Sequence, residues 1–321
     1  MTDRTAFGQR GAALLLAMII LTLVSTIAAS MVWQQWRAIQ VEAAERARTQ
    51  AAWILSGALD WARLILSEDA RPTGNKPPVD HLGEPWAVPL AEARLSSFLA
   101  ADKNNNAEDT GPDAFLSGTI SDAQGKFNLS NLLRAGDPPP TEDIEAFRKL
   151  CELVSVPGST ADRIVQGLRA STSLAPDAPV PPRSVPQLAW LGVDAADLRR
   201  LEPFVALLGV PQQKINLNTA PAEVIAAVTG ADLASAQRLV QSRQREPIDT
   251  MQNAATLLGL PPPDPVAKLD QRAQLQSSFF EVEGQVRLGD RVLRERSLLY
   301  REGRTVTVVR RDRVNLVSSG S

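Results

Sequence analysis

The sequence predicts an α+β fold in which a long N-terminal helix packs on an antiparallel sheet, and a large all-helical insertion interrupts the sheet. Three observations support this prediction. An apolar run near the N terminus continues into a helical pattern that contains no proline before Pro72. Residues 129–270 space their apolar side chains as helices do, and the segments that follow alternate apolar and polar residues as half-buried strands do.

The N-terminal apolar run covers residues 11–31, GAALLLAMIILTLVSTIAASM. A bilayer core requires about 20 apolar residues of helix, so this run can span a membrane. The hydroxyls of Thr22, Thr26 and Ser30 can bond to carbonyls of their own helix, which leaves few unsatisfied polar groups in lipid. A cleavable signal sequence that ends near residues 27–30 is the alternative.

The flanks of this run predict its orientation. Arg4 and Arg10 precede it, and the positive-inside rule then places the short N terminus in the cytoplasm. Trp33 and Trp36 follow it, where an interfacial aromatic belt is expected. The helical pattern continues to about Leu66, so we expect one helix whose first half lies in lipid and whose second half packs on a periplasmic head.

Composition limits the possible functions. The chain has 321 residues with 34 basic and 36 acidic side chains, so no cationic excess attracts nucleic acid. Cys151 is the single cysteine and is expected to be buried, and the single histidine, His81, cannot complete a zinc site and is expected to pack with Trp86 in a loop. Without a nucleophile-elbow motif or a second histidine, we predict that the chain is not an enzyme.

One loop has the spacing of a calcium site. Hard cations prefer oxygen ligands at alternating positions, but here the sixth position is Ala107 rather than glycine and the twelfth is an aspartate rather than glutamate. A solvated acidic loop is the alternative interpretation. The candidate ligands are Asp102, Asn104, Asn106, Glu108, Asp109 and Asp113.

The remaining elements follow from periodicity. We predict a short helix at 90–100, a hairpin at 115–128 that turns at Asp122–Gly125, and a C-terminal meander of strands at 277–288, 291–301 and 304–312. The meander's arginines are expected to face outward and make its open face basic: Arg287, Arg294, Arg296, Arg301, Arg310 and Arg311. The insertion is predicted to contain helices at 143–154, 161–170, 186–191, 195–208, 221–228, 233–243 and 251–258.

The insertion contains an internal repeat. The segment KFNLSN at 126–131 recurs as KINLNT at 214–219, which implies two related units joined by a proline-rich linker at 171–186. The second unit, residues 215–243, resembles a helix-hairpin-helix module, a class known for gripping DNA. The turn at Gly230 lacks the second glycine of that class, and Asp232 would repel a phosphate, which makes DNA binding doubtful. A DNA-binding protein is therefore only the alternative function. We expect Asn218 and Thr219 to cap the helix that Pro221 opens.

The N terminus resembles the class III signal of type IV pilin-like proteins, in which a short basic leader ends in glycine before an unbroken apolar helix. The resemblance implies that a prepilin peptidase cuts between Gly11 and Ala12 and methylates the new amine. The fifth mature residue is then Leu16, where most pilins and pseudopilins carry glutamate. A filament's first subunit has no neighbour above it to neutralise, and leucine avoids burying an unpaired acid at a cost of about 2.5 to 3.5 kcal/mol.

Over the whole chain, the order of elements and the segments HLGEPWA, GTISDAQGKFNLSNL and INLNTAPAEV resemble minor pseudopilin K of type II secretion systems. The resemblance implies a leader at 1–11, a membrane helix at 12–33, a pilin-like head from 34–128 and 271–321, and an inserted domain at 129–270. It implies an inner-membrane protein at the pseudopilus tip that initiates and caps assembly. No cofactor is required, although calcium binding is typical of the family. The implied partners are other minor pseudopilins, the major pseudopilin, the inner-membrane assembly platform, secreted substrates and the outer-membrane channel, with no nucleic acid.

Overall fold

The computed structural model describes residues 9–71, 78–95, 114–133, 141–173, 178–289 and 291–314. By internal contacts the chain forms two units, residues 1–54 and residues 55–321. One helix, α1, runs over Gln9–Asp69 and confirms the long helix predicted from residues 12 to 66. In the first unit the large apolar side chains of this helix are exposed; Leu14, for example, is 66% exposed and Val41 is 56% exposed.

The second unit contains a five-stranded antiparallel sheet in the order β1-β2-β7-β8-β9. Its strands are β1 Leu90–Arg94, β2 Ala114–Asp122, β7 Phe279–Leu288, β8 Arg291–Glu302 and β9 Thr305–Val314. The last three form the predicted meander, which is confirmed.

The last part of α1 packs on one face of this sheet. Leu59, Ala62 and Leu66 recur at the three- and four-residue steps of a helix face, and they form a core with Trp86, Phe280, Val282, Leu299 and Val306. Leu55 lies close to the sheet at Gly284, where an added Cβ would be 3.0 Å from its Cδ2 atom. Glycine at this position therefore lets the helix approach the strand. The predicted α+β class is observed.

Two predictions about the start of the sheet are wrong. Residues 90–94 of the helix predicted at 90–100 form β1 instead, because Leu90, Ala93 and Arg94 pair with β2, and residues 96–100 lie outside the described residues. Residues 115–128 do not form a hairpin. Instead β2 pairs along its full length with β7, from Ala114 opposite Leu288 to Asp122 opposite Phe280, and the strand that follows turns away. Pairing with a strand more than 150 residues later overrides the local turn signal.

The inserted segment packs on the other face of the sheet. Phe279 and Leu298 point to that face, since neighbouring residues of a strand point to opposite sides and Phe280 and Leu299 face α1. Phe279 and Leu298 form a small core with Ala123 and Leu208. The helices outside the sheet are α2 Thr141–Leu153, α3 Gly158–Ser171, α4 Ala195–Leu201, α5 Ala222–Thr229, α6 Leu233–Arg243, α7 Met251–Leu258 and α8 Pro265–Arg272. Short 3-10 helices cover Pro85–Ala87, Ala123–Gly125, Leu129–Leu133 and Val185–Leu191.

The insertion is not entirely helical. Phe127–Asn128 (β3) pairs in parallel with Val205–Ala206 (β4), and Ile215–Asn216 (β5) pairs in parallel with Ala273–Gln274 (β6). The helix predicted at 195–208 therefore ends at Leu201, and α8 was missed. The predicted bounds of α6 and α7 are confirmed.

The open basic face predicted for the meander is wrong. Arg301 is buried, with 8% of its side chain exposed. The other arginines are paired with carboxylates: Arg287 with Glu92, Arg294 with Glu283, Arg296 with Glu202, Glu281 and Glu283, Arg310 with Asp312, and Arg311 with Glu295. Acidic side chains of the same strand and of neighbouring elements thus pair with these arginines.

Candidate functional site

The apolar segment of α1 satisfies its own polar groups. Thr22 and Thr26 donate their hydroxyls to carbonyls three residues earlier, each at 2.9 Å, and Ser30 does so at 2.8 Å. The segment is long and apolar enough to cross a membrane. Arg37 lies 5.7 Å from the centroid of the Trp33 ring, a pair suited to a membrane surface.

The processing positions lie inside this helix. Gly11 and Ala12 both belong to α1, and Leu16 is 61% exposed. No side chain of the described residues covers Leu16, so its leucine is available to lipid or to a partner. Cleavage after Gly11 stays a prediction.

A buried polar cluster joins the end of α1, the sheet and the insertion. We call it the junction cluster, and its members are Asp69, Asp80, Asp122, Asn216, Thr219, Ser277 and Arg301. Arg301 donates to Asp69 at 2.9 Å, to Asp80, and to the carbonyl of Ser277 at 2.9 Å. Its guanidinium carbon lies 4.6 Å from the centroid of the Phe280 ring. A buried arginine held on both sides by carboxylates fixes the end of α1 to β8.

Asp122 is the second centre of the junction cluster. One oxygen accepts from the Gln124 amide at 2.7 Å, and the other accepts from Asn216 at 3.0 Å, Thr219 at 2.6 Å and Ser277 at 2.5 Å. Burial raises the pKa of Asp122, and these hydrogen bonds oppose that rise. Among the described residues no cation is paired with it, so neutral donors alone stabilise this carboxylate.

Thr219 and Asn218 make long-range hydrogen bonds, Thr219 to Asp122 and Asn218 to Ile248, rather than the predicted helix cap. Pro221 occupies the N-cap position of α5 and no side chain caps that helix. Asn218 exchanges hydrogen bonds with the backbone of Ile248 at 2.9 and 3.0 Å. The capping prediction is therefore wrong, because both side chains form hydrogen bonds with residues that are distant in sequence.

The loop at 80–87 extends the cluster. Glu84 accepts from the His81 amide at 2.9 Å and from the Trp86 indole at 2.7 Å, and Trp86 is 1% exposed. The pKa of Glu84 is raised to about 7, mainly by burial and to a smaller extent by the charges of Asp69 and Asp80. Burial lowers the pKa of His81. His81 packs within this loop, where its Nδ1 accepts from the Gly83 amide at 3.1 Å, whereas Trp86 leaves the loop and packs in the core against Phe280.

Three carboxylates here could in principle hold a metal ion. Oxygens of Asp69, Asp80 and Glu84 lie within 4.8 Å of one another. However, Arg301 already binds two of these three carboxylates, so a cation would have to displace a buried guanidinium. The arrangement fits an ion-pair network better than a metal centre. The predicted calcium ligands, Asp102, Asn104, Asn106, Glu108, Asp109 and Asp113, lie outside the described residues.

The hairpin of α5 and α6 lacks a phosphate site in its described part. The carboxylate of Asp232 accepts from the Ser235 amide at 2.8 Å and from its hydroxyl at 2.6 Å. It therefore holds the N terminus of α6, where a phosphate would bind. These hydrogen bonds lower the pKa of Asp232, so it is charged at neutral pH. Arg243 is turned inward and donates to the carbonyl of Leu217.

Cys151 has no catalytic setting. It is fully buried in α2, and burial raises the pKa of its thiol to about 12. The thiol is therefore mostly protonated at neutral pH, and burial shields it from solvent. The prediction of a buried cysteine is confirmed.

Known proteins match nearly the whole chain. The sequence family described as "Type II secretion system (T2SS), protein K" matches residues 215–276. Type II secretion system protein K of Pectobacterium carotovorum subsp. carotovorum is 29% identical, and the alignment covers 94% of this chain and 96% of that protein. The protein K of Pseudomonas aeruginosa is also 29% identical over 88% of this chain and 86% of its own length. The chain is thus similar to type II secretion system protein K over most of its length.

A solved structure supports the fold. A chain from the crystal structure of the GspK-GspI-GspJ complex of the enterotoxigenic Escherichia coli type 2 secretion system aligns with a TM-score of 0.63. It is 18% identical, and the alignment covers 85% of this chain and 99% of that chain. The predicted pilin-like α+β fold is thereby confirmed.

The junction cluster was not predicted from the sequence. Its members come from residues 69 to 301, and no local spacing joins them. The one signal that could have found part of it is the repeated Lys-x-Asn motif, which contains Asn216. A buried asparagine at both copies would have indicated a structural polar contact.

Proposed function

We propose that this chain is a minor pseudopilin of a type II secretion system. The single observation that carries the proposal is the similarity to protein K over 94% of the chain. An exposed apolar helix that continues into an α+β head supports it. We propose a single-pass protein of the inner membrane with its short N terminus in the cytoplasm and its head in the periplasm.

The proposed role is mechanical rather than catalytic. Partners are proposed from the solved complex of GspK, GspI and GspJ, which suggests that this chain also joins two other minor pseudopilins. Further proposed partners are the major pseudopilin, the assembly platform, secreted proteins and the outer-membrane channel. The buried Cys151 and the internally bonded Asp232 support neither an enzyme nor a DNA-binding protein.

We further propose that the chain occupies the tip of the pseudopilus and initiates its assembly. Two features support this position. Leu16 replaces the acid that would neutralise the amine of a subunit above, and the insertion adds bulk that would prevent another subunit from stacking there. After cleavage between Gly11 and Ala12, this apolar helix would remain in the mature protein.

The experiment uses a strain that lacks the gene and measures secretion of its exoproteins. The wild-type chain should restore secretion and, after extraction from membranes, should begin at methylated Ala12. Leu16→Glu should reduce initiation, whereas Leu15→Glu is the matched control that adds the same charge one residue away. A mature N terminus near Ala29, or equal initiation by wild type and Leu16→Glu, would refute the processing or the tip position respectively.

Calcium is proposed for the loop from Asp102 to Asp113. Its alternating oxygen ligands support the proposal. If calcium binds only the folded chain, a concentration of 100 Kd should add about 2.7 kcal/mol of stability. Thermal unfolding of the chain and of a variant with Asp102→Asn and Asp113→Asn should show this shift only in the wild type. An equal response of both proteins would contradict the proposal.

A further inference from the structure

A cavity lies between α1 and the face of the sheet that α1 covers. Its volume is about 230 Å³, and its lining includes Leu59 and Ala62 of α1, Leu116 of β2 and Val282 of β7. Val88 also lines it and is 69% exposed, so the cavity opens to solvent on that side. Protein interiors keep few voids larger than a water molecule, because side chains normally fill them. A space of this size inside the head therefore has to be built by particular residues.

Two glycines on neighbouring strands leave the floor of this cavity without side chains. Gly118 of β2 and Gly284 of β7 are directly paired, and both line the cavity. A Cβ at Gly118 would lie 2.9 Å from the carbonyl oxygen of Glu283, and a Cβ at Gly284 would lie 3.0 Å from the Leu55 side chain. Neither position can take a side chain unless its neighbours shift. The space above this pair therefore stays open.

Two tryptophans belong to the walls of the cavity. Trp61 of α1 is 44% exposed, whereas Trp86 is 1% exposed. The Trp86 ring is held in place, since its indole donates to Glu84 at 2.7 Å and its ring meets the Phe280 ring edge to face with centroids 5.3 Å apart. Aromatic rings pair with an offset or edge to face, so fixed aromatic walls favour a flat aromatic ligand.

One buried hydroxyl in the cavity wall is left without a hydrogen bond. Ser297 lines the cavity and is 2% exposed, yet its side chain has no hydrogen-bond partner within the part of the chain that the structure describes. Buried hydroxyls are normally hydrogen-bonded. Ser297 can therefore form a hydrogen bond with a molecule in the cavity.

The carboxylates that line the cavity do not select a charged ligand. Glu295 pairs with Arg311, and Glu283 pairs with Arg294 at 3.2 Å and with Arg296 at 3.4 Å. Because both carboxylates already have a cation, a charged ligand would enter this apolar space without a counterion, which is unfavourable. The lining therefore favours a neutral ligand with one polar group.

We infer that this cavity is a binding site for a neutral aromatic molecule of one or two rings that hydrogen-bonds to Ser297. A mostly apolar cavity with a few placed polar groups is typical of small-molecule sites. An apolar cavity of about 150 Å³ can hold benzene, so this larger one has room for a two-ring compound such as indole. Trp61 and Trp86 would contact the rings, and the Ser297 hydroxyl would accept the indole N–H. The inference does not depend on the proposed role in secretion.

The first experiment measures calorimetric binding of indole to the full chain in lipid nanodiscs, with empty nanodiscs as the blank. The wild-type chain should bind indole saturably. Ala58→Leu should weaken binding about tenfold, because Ala58 lines the cavity and the larger side chain fills part of it. Ala52→Leu makes the same change on the same helix outside the cavity, and it should bind as the wild type does. A wild-type chain that does not bind indole saturably would overturn the inference, and so would undiminished binding by Ala58→Leu.

The second experiment tests the hydrogen bond to Ser297. Benzofuran has the shape of indole but lacks its N–H, so the wild-type chain should bind indole about fivefold more tightly, the usual effect of one hydrogen bond. Ser297→Ala should bind the two compounds equally. Ser121→Ala, on an exposed strand position outside the cavity, is the matched control and should keep the wild-type preference. Equal binding of both compounds by the wild type, or a preference that survives in Ser297→Ala, would overturn the inference.

Discussion

The two copies of the Lys-x-Asn motif share a local structure but have different surroundings. In each copy the asparagine ends a two-residue strand, and its side chain accepts the amide two residues later, at 3.1 Å for Asn128 and 2.9 Å for Asn216. The Asn128 amide then donates to the carbonyl of Val210 within the insertion. The Asn216 amide donates instead to Asp80, Asp122 and Ser277 of the junction cluster.

The difference shows that one short motif can serve two purposes. Local hydrogen bonds fold both turns in the same way, since the acceptor and donor are two residues apart. The neighbours decide whether the remaining amide hydrogens stabilise only the insertion or join it to the head. We therefore expect changes at the second copy and in the junction cluster to cost more than changes at the first copy.

The largest effect is expected for Arg301→Met in the junction cluster. The substitution leaves Asp80 buried without its cation, which should cost about 4 kcal/mol of unfolding free energy. Denaturant titration of the detergent-solubilised chain measures this loss. Adding Asp80→Asn should recover part of it, because the uncompensated charge is removed. A loss below about 1 kcal/mol would show that the ion pair is not a main link.

Asn216→Ala should have the next largest effect, about 3 kcal/mol, because Asp122 and Ser277 lose a buried donor. Asn128→Ala is the matched control at the first copy and should cost about 2 kcal/mol. The same denaturant titration compares the two. Equal losses would contradict the distinction between the copies.

From the raised pKa of Glu84 we predict that the free energy of unfolding changes by about 2 kcal/mol between pH 5 and 8. Its pKa is raised from 4.5 to about 7, so the folded chain binds more protons than the unfolded chain in this interval. Stability should therefore fall as the pH rises from 5 to 8. Glu84→Gln should reduce this slope relative to the wild type. Because Asp69 and Asp122 also have raised pKa values, only the difference between the two proteins tests Glu84.

The smallest effect is expected for Ser130→Ala at the first copy. Its hydroxyl accepts the Gly209 amide at 3.0 Å, and losing this one bond should cost about 1 kcal/mol. Asn218 holds the corresponding position of the second copy with two bonds to Ile248, so Asn218→Ala should cost about twice as much. Thermal unfolding of both variants checks the order, and the reverse order would refute it.

The sequence alone determined the elements whose signals are local. The uncharged run and the unbroken helical spacing predicted α1, the alternation of apolar and polar residues predicted the meander, and apolar periodicity located α6 and α7. Such patterns report which face of an element is buried, and that information lies within a few turns or strand residues.

Only the tertiary structure decided what joins these elements. Leu90 starts a strand because β2 lies beside it, and β2 pairs with β7 across the entire insertion. Arg301 is buried between Asp69 and Asp80, although its alternation in the strand suggested an exposed basic side chain. Contacts of this kind depend on residues far apart in sequence, whose hydrogen bonds and ion pairs stabilise a position only once the chain has folded around them.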